Sequence, residues 1–455
     1  MSDSSASSAA PERAAWSSRV GFILASAGSA VGLGAIWKFP FMAGTNGGSV
    51  FLLPYLIFSF TIGLALLIGE MCMGRSAKGG PATAYPLLAG RKAAPLGYIS
   101  VLTGVAVLGF YSVVGGWTVH YLLEALMGRG VALDPATMKT AFGTFASDSW
   151  DPVLCHILFL SATAAVVMLG VEKGIERVAK FLMPLLFILM LILIVRGLTL
   201  PGAMKGVEFL FKPDPSAFTG EALLNALGFS FFSLSVGSAT MMNYGSYVSN
   251  KVNIGTSTSW IVFLAVIAAL LGGLMIMPAV FAFGLSPDAG PGLTFATMPA
   301  VFGKLPMGWL FAIIFYLCLF VAAITSSISI LEMATQFFVD QYGWSRRKAC
   351  VFISTILGIV GIFCALSFGP LADVKFFGKG FFDLLDYATS NIGMPIGCLG
   401  IAWVAGSVVW KRVTQPELER TGRWQPWALG SLRFVLGVVS PIVILVVAAK
   451  GIGLF

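Results

Sequence analysis

The sequence predicts an all-α polytopic membrane protein of about eleven transmembrane helices, a 5+5 inverted repeat in which helices 1 and 6 are broken. Three observations carry that prediction. Of 455 residues, 57% are hydrophobic and 11% charged, with a mean hydropathy of +0.90, whereas soluble domains are about a quarter charged. The apolar residues gather into runs long enough to cross a bilayer, which takes roughly 20 helical residues. Two of these runs, five spans apart, have middles crowded with glycine and serine, where a helix should be strongest.

Residues 1–15 are rich in Ser, Ala and Pro and lack the apolar core of a signal peptide, so they read as a disordered cytosolic tail. The first span, 16–40, holds Gly28-Ser-Ala-Val-Gly-Leu-Gly34 at its centre. Backbone unwound inside lipid is tolerated only where it lines a protein cavity, so a break there implies a ligand site; the alternative is a glycine face packed on a neighbouring helix. Asn46-Gly-Gly makes a turn into the second span, 51–73, and a basic loop leads to the third, 97–126. After an external loop at 128–151, spans four (152–170) and five (178–199) flank the charged turn Glu172-Lys-Gly-Ile-Glu-Arg177.

The sixth span, 221–248, contains the second interruption, Phe231-Phe-Ser-Leu-Ser-Val-Gly-Ser-Ala-Thr240. Five more follow near 258–284, 307–340, 349–368, 381–409 and 429–450. The chain therefore divides into repeats at 16–200 and 201–410, with a cytosolic loop and final helix in 411–455. The formal charge of +8 does not signal a nucleic-acid partner, because clusters such as Arg75/Lys78, Arg91/Lys92, Arg346/Arg347/Lys348 and Lys411/Arg412 all fall on one face, which is then the cytosolic one. That puts the N-terminus in the cytoplasm and the C-terminus outside, in a plasma (inner) membrane. Six scattered cysteines and two distant histidines support neither a disulfide framework nor a metal centre, and no catalytic cluster argues for an enzyme.

Trp16 with Gly28-Ser-Ala-Val-Gly-Leu-Gly, then Lys38-Phe-Pro, Asn46-Gly-Gly, Ser233-Leu-Ser-Val-Gly, Thr325-Ser-Ser-Ile and Asp386-Tyr-Ala-Thr-Ser-Asn391, resemble the neurotransmitter:sodium symporter family, in its prokaryotic amino-acid transporter branch, from about residue 13 to 450. The broken-helix geometry of that family is itself a worked example of the general rule for such transporters. The resemblance implies alternating access driven by sodium (Na+), a small-molecule substrate and the bilayer as partners. A transporter-like sensor binding the same solute, or a symporter of a non-amino-acid solute, stays open.

For sodium, which wants oxygen ligands, the resemblance implies the carbonyls of Gly28, Val31 and Ala322 and the hydroxyls of Thr325 and Ser326; alternatively those hydroxyls bond their own helix. The family's other sodium site looks degenerate, since its amide positions fall on Ala35 and on Leu264 or Ala265. Chloride independence is expected as well: Tyr55 and Ser233 match the family, but Phe229 and Ala268 or Ala269 replace polar residues. Glu70 and Glu332 are intramembrane carboxylates, read as structural hydrogen bonding with proton movement as the alternative.

The substrate site implied by the resemblance comprises Ala30, Leu33, Gly34, Val107, Tyr111, Phe232, Ser233, Ser235, Ser238, Ser326 and Ile330. Amides at Leu33 and Gly34 would hold a carboxylate and carbonyls of the sixth span an ammonium, which suits a neutral amino acid or related small zwitterion. Gly32 stands where amine transporters have an aspartate, and Ser238 where a larger side chain often closes the pocket. Lys38 and Asp386 correspond to an outer gate that pairs once substrate is bound. Arg13 and Asp340, with Trp16 beside them, correspond to a cytosolic latch.

Overall fold

The computed structural model describes residues 14–129, 134–287 and 293–454. Residues 1–13 of the tail, Arg13 among them, lie outside those ranges. Among the described residues, nine continuous helices and one bent pair are long and apolar enough to cross a bilayer, and the two shorter halves of a further helix, the sixth in order, stand among them. Helix α1 comprises Arg19–Ala30 and Gly34–Thr45, bent by 47°. Next come α2 (Ser49–Ala77), α3 (Arg91–Leu126), α4 (Asp151–Met168) and α5 (Val171–Leu198). The two halves Gly220–Ser233 and Thr240–Ser246 form α6. The remaining helices are α7 (Ile254–Ala282), α8 (Gly308–Tyr342), α9 (Arg346–Leu366), α10 (Phe381–Val408) and α11 (Pro426–Gly451). No strand occurs among the described residues.

Hydropathy alone does not arrange such helices, because lipid is as apolar as their side chains; close approach at small residues does. Gly97, Gly104, Gly109, Gly115 and Gly116 give α3 a notched surface that meets the short helix Pro81–Ala89, α4, the break in α6 and α8–α10 closely. Helices α3 and α8 pack against each other at the centre, with 72% of each apolar core enclosed by protein, whereas only 17% of α11 is. Both halves of α1 pack on α7, and both halves of α6 pack on α2. Exchanging the first five helices for the second five turns one of these contacts into the other, as an inverted repeat requires.

On the face where α1 begins, which we call the Trp16 face, the end of α2 is pinned to the short helix Gln415–Glu419 between α10 and α11. Arg75, 1% exposed, pairs with Glu417 and donates to the carbonyls of Val252 (2.6 Å) and Glu417 (2.7 Å). Glu417 also pairs with Arg420 at 2.8 Å. Removing one partner of a buried, fully bonded pair costs more than the pair itself contributes. Glu417→Leu is therefore expected to destabilise the protein by about 3–5 kcal/mol, read as a lowered thermal midpoint in detergent, and Arg75→Met in the same chain to recover most of that loss.

Candidate functional site

Helix α1 stays wound to Ala30. Val31, at φ −86° and ψ 44°, still gives its N–H to Ala27 (2.6 Å), but the helical path then ends, and winding resumes in the wide turn Gly34–Lys38. The break in α6 is longer, spanning 234–239, and passes three times through the left-handed region: Ser235 at φ +54°, Gly237 at +87° and Ala239 at +61°. Gly237 is required twice over, for its φ and because a Cβ would lie 2.5 Å from the Met394 carbonyl and 2.7 Å from Cys398 Sγ on α10. Ser235 and Ala239 hold a conformation that disfavours a side chain.

Between the two breaks lies a cavity closed by α3, α8 and α10. It is lined by Ala30, Gly34, Val107, Tyr111, Phe232, Ser233, Ser235, Ser238, Ser326 and Ile330. Leu33, the remaining predicted residue, is not in the lining; its N–H donates to the Tyr111 hydroxyl at 3.2 Å. Ser29, Gly32 and Met394 line the cavity without having been predicted. Ser29 and Gly32 lie inside the glycine string and were legible there, whereas a lone methionine in an apolar span gives no signal.

The hydroxyls follow one plan. Ser235 Oγ from α6 (3.1 Å) and Ser326 Oγ from α8 (2.9 Å) both donate to the Ser29 carbonyl, and Ser326 also reaches the Gly28 carbonyl at 3.2 Å. Ser238 Oγ donates to the Ser235 carbonyl at 2.9 Å. These protons are committed to backbone, so what the hydroxyls offer the cavity is lone pairs. The lining has no ionisable acid or base with a charge at neutral pH. A charged ligand group would be met by backbone dipoles.

Of the predicted sodium ligands, Gly28, Thr325 and Ser326 meet directly. A Cβ on Gly28 would stand 3.2 Å from Thr325 Cβ. Thr325 Oγ1 donates to its own helix, to the carbonyls of Val321 and Ala322 at 3.1 Å each. This matches the alternative reading of that hydroxyl, yet donation leaves its lone pairs for a cation. Val31 sits one residue past the end of the wound segment. The set is all oxygen, the chemistry a hard cation selects. At the other sodium position Ala35 and Ala265 are buried and Leu264 is half-buried, with no side-chain oxygen on any of them. Where the family's chloride neighbours would stand, Phe229 packs with Tyr55 (5.3 Å), Phe51 (5.8 Å) and Phe39 (5.9 Å) between ring centres.

The Trp16 face is shut. Trp16 is buried, its Nε1 donating to the Tyr244 carbonyl at 3.1 Å and its N–H to the Tyr247 carbonyl at 3.3 Å. Tyr247 in turn donates to Glu332 (2.6 Å), which pairs with Arg346. Glu70 accepts from Met242 N–H (3.0 Å) at the start of the second half of α6, where the positive end of the helix dipole favours a carboxylate. Asp340 accepts from Gln336 (2.7 Å) and from Gly80 N–H (3.4 Å); its predicted partner Arg13 is outside the described residues. A holding point that the sequence reading missed is Glu176 on α5. It takes Ser17 N–H and Oγ at 2.7 Å each, Ser18 Oγ at 2.8 Å and Lys180 at 2.7 Å, and so grips the two residues that lead into α1.

The opposite face is hollow. Lys38, Asn225, Phe232, Asn391, Met394 and Lys450 line a vestibule there. Lys38 makes no ion pair with Asp386 within 4 Å; its Nζ lies 4.1 Å from the centre of the Phe232 ring, and Asp386 accepts from Ser390 at 3.2 Å. The predicted outer pair is thus unmade in this state. Phe232 and Met394 line both compartments and form the partition.

Two substitutions test this geometry. Ala239→Gly is expected to raise stability by about 1 kcal/mol, since glycine adopts that φ without steric cost, checked by thermal unfolding. Gly32→Ala would bring a Cβ against Ser326 Oγ and within 2.9 Å of the Tyr111 hydroxyl; the expected outcome is a folded protein whose ligand-induced thermal shift is lost.

The chain matches the Sodium:neurotransmitter symporter family over residues 13–131 and 135–454. It is 40% identical over 440 residues to the uncharacterized sodium-dependent transporter YhdH of Bacillus subtilis, covering 96% of this chain and 98% of that one. It is 28% identical to the sodium- and chloride-dependent taurine transporter of Bos taurus, over 87% of this chain and 72% of that protein. Among solved structures, that of MhsT in complex with L-phenylalanine superposes with a TM-score of 0.89 at 37% identity, covering 97% of this chain and all of that one. With its two broken crossings and the cavity between them, the chain belongs to the Sodium:neurotransmitter symporter family.

Proposed function

We propose that the protein is a sodium-coupled symporter of a neutral amino acid or related small zwitterion, working by alternating access between the Trp16 face, taken as cytosolic, and the Lys38 face, taken as external. The observation that carries the reading is the Ser29 carbonyl, which ties the end of α1's first half to hydroxyls of α6 and α8 beside an all-oxygen set. A sodium ion on Gly28, Val31, Ala322, Thr325 and Ser326 would neutralise the exposed carbonyls and lock α1 to α8. Substrate would then lie beside it, its carboxylate toward Leu33, Gly34 and Tyr111 and its ammonium toward the carbonyls around the α6 break. The relatives' names and the phenylalanine in the MhsT complex support this chemistry.

The apolar and aromatic replacements at Ala35, at Leu264 or Ala265, at Ala268 or Ala269, and at Phe229 support coupling to fewer sodium ions than in relatives that keep both sites, and transport without chloride. The repeats are assigned to 16–200 and 201–410, with 411–455 as an appended loop and helix, in the plasma membrane. Glu70 and Glu332 are assigned structural roles, each held by the bonds described above.

Uptake into proteoliposomes tests the whole reading. Accumulation of a neutral amino acid is expected to require an inward sodium gradient, to vanish when sodium is replaced by choline, and to be unchanged when chloride is replaced by gluconate. Binding without accumulation would instead mark a sensor. Thr325→Val, which keeps shape and removes the hydroxyl, is expected to raise the sodium concentration for half-maximal uptake on the order of tenfold, a single charge-assisted ligand contributing about 1.5–3 kcal/mol.

A further inference from the structure

The lipid-facing flank between α4 and α9 is not smooth. A groove runs there, with Ile157, Leu160 and Met168 on one wall and Val351, Ile359 and Ile362 on the other, and Gly358 in its floor. Between Cys350 and Ile362 it follows roughly 18 Å of helix, close to one leaflet of a hydrocarbon core about 30 Å thick. A partner helix would cover both leaflets. A single acyl chain covers one.

The groove begins on the Trp16 face, where Ser345, Arg347, Lys348, Val351 and Thr355 surround a second hollow that shares Val351 and Thr355 with the first. Arg347, Val351 and Thr355 are four residues apart on one helix and so lie in one stripe, with the guanidinium at the groove's mouth. Of the three basic residues there, Arg346 is committed to Glu332 and to the Val167 carbonyl (2.8 Å). Arg347 and Lys348 are exposed and have no carboxylate within 4 Å among the described residues. Lys348 Nζ stands 4.3 Å from the Trp344 ring, which packs on Phe352 at 5.2 Å; aromatic residues of this kind mark headgroup depth. Two cations without counter-ions at that depth, below a one-leaflet apolar groove, complement an anionic headgroup and its chain.

We propose that the α4–α9 flank is a binding site for an anionic phospholipid, with an acyl chain between the helices and the headgroup on Arg347 and Lys348. Because Arg346 at the same mouth holds Glu332, and Glu332 holds Tyr247 beneath Trp16, the lipid would sit against the bonds that shut this face.

The test uses the full-length protein in nanodiscs of phosphatidylcholine with phosphatidylglycerol as the anionic probe, counting retained lipids by native mass spectrometry. Arg347→Gln with Lys348→Gln is expected to lower the preference for phosphatidylglycerol about tenfold, while neutralising the exposed pair Arg91 and Lys92 on the same face leaves it within twofold. Thr355→Trp, which fills the groove and keeps both charges, is expected to reduce retention of either lipid. Equal losses from the two basic pairs, or no preference in the unaltered protein, would overturn the site. So would efficient disulfide crosslinking of two copies through Thr355→Cys, since a second chain would then occupy the flank. Thermal unfolding of each variant separates lost binding from lost fold.

Discussion

Every part of this structure depends on keeping peptide groups satisfied at the centre of a membrane. A helix does so automatically, and a broken helix does not, so each break must find substitutes for the bonds it gives up. Here the substitutes are short hydroxyl side chains. The Ser29 carbonyl, at the last wound turn of α1, takes one hydroxyl from α6 and one from α8. The loop of α6 is held by Ser238 and by glycine at Gly237, where α10 comes too close for any side chain. The same arrangement that makes the breaks tolerable leaves carbonyls and lone pairs facing one small cavity.

That economy explains the cavity's composition. Charged side chains at this depth would be costly, and none is present in the lining. Any charged group that entered would meet only backbone dipoles, which cost nothing further to bury because they belong to the fold. Two of the ionic clusters near the Trp16 face hold the start of the chain's first crossing in place. Glu332 with Arg346 and Tyr247 supports the Trp16 plug, and Glu176 grips Ser17 and Ser18. Both lie where a displacement of α1's first half would have to begin.

Much of this was legible in the sequence. The two breaks announced themselves because glycine and serine in mid-span contradict the apolar surroundings, and ten of the eleven predicted substrate residues line one cavity. Leu33, chosen for its amide, stands just behind the lining, where that N–H meets the Tyr111 hydroxyl. Met394 was invisible, since a methionine in an apolar span looks like packing. Glu176 was hidden for another reason: in Glu172-Lys-Gly-Ile-Glu-Arg177 it resembles any solvated turn residue, and only tertiary structure brings Ser17 and Ser18 to it, 159 and 158 residues away. Lys38 and Asp386, expected to pair, instead meet Phe232 and Ser390, a tertiary arrangement that a sequence does not specify.

Phe232 separates the cavity from the vestibule and carries the Lys38 ammonium on its ring face. Whatever turns that ring aside would therefore also strip the Lys38 ammonium of its aromatic neighbour, so joining the two compartments and rehousing a cation are one event.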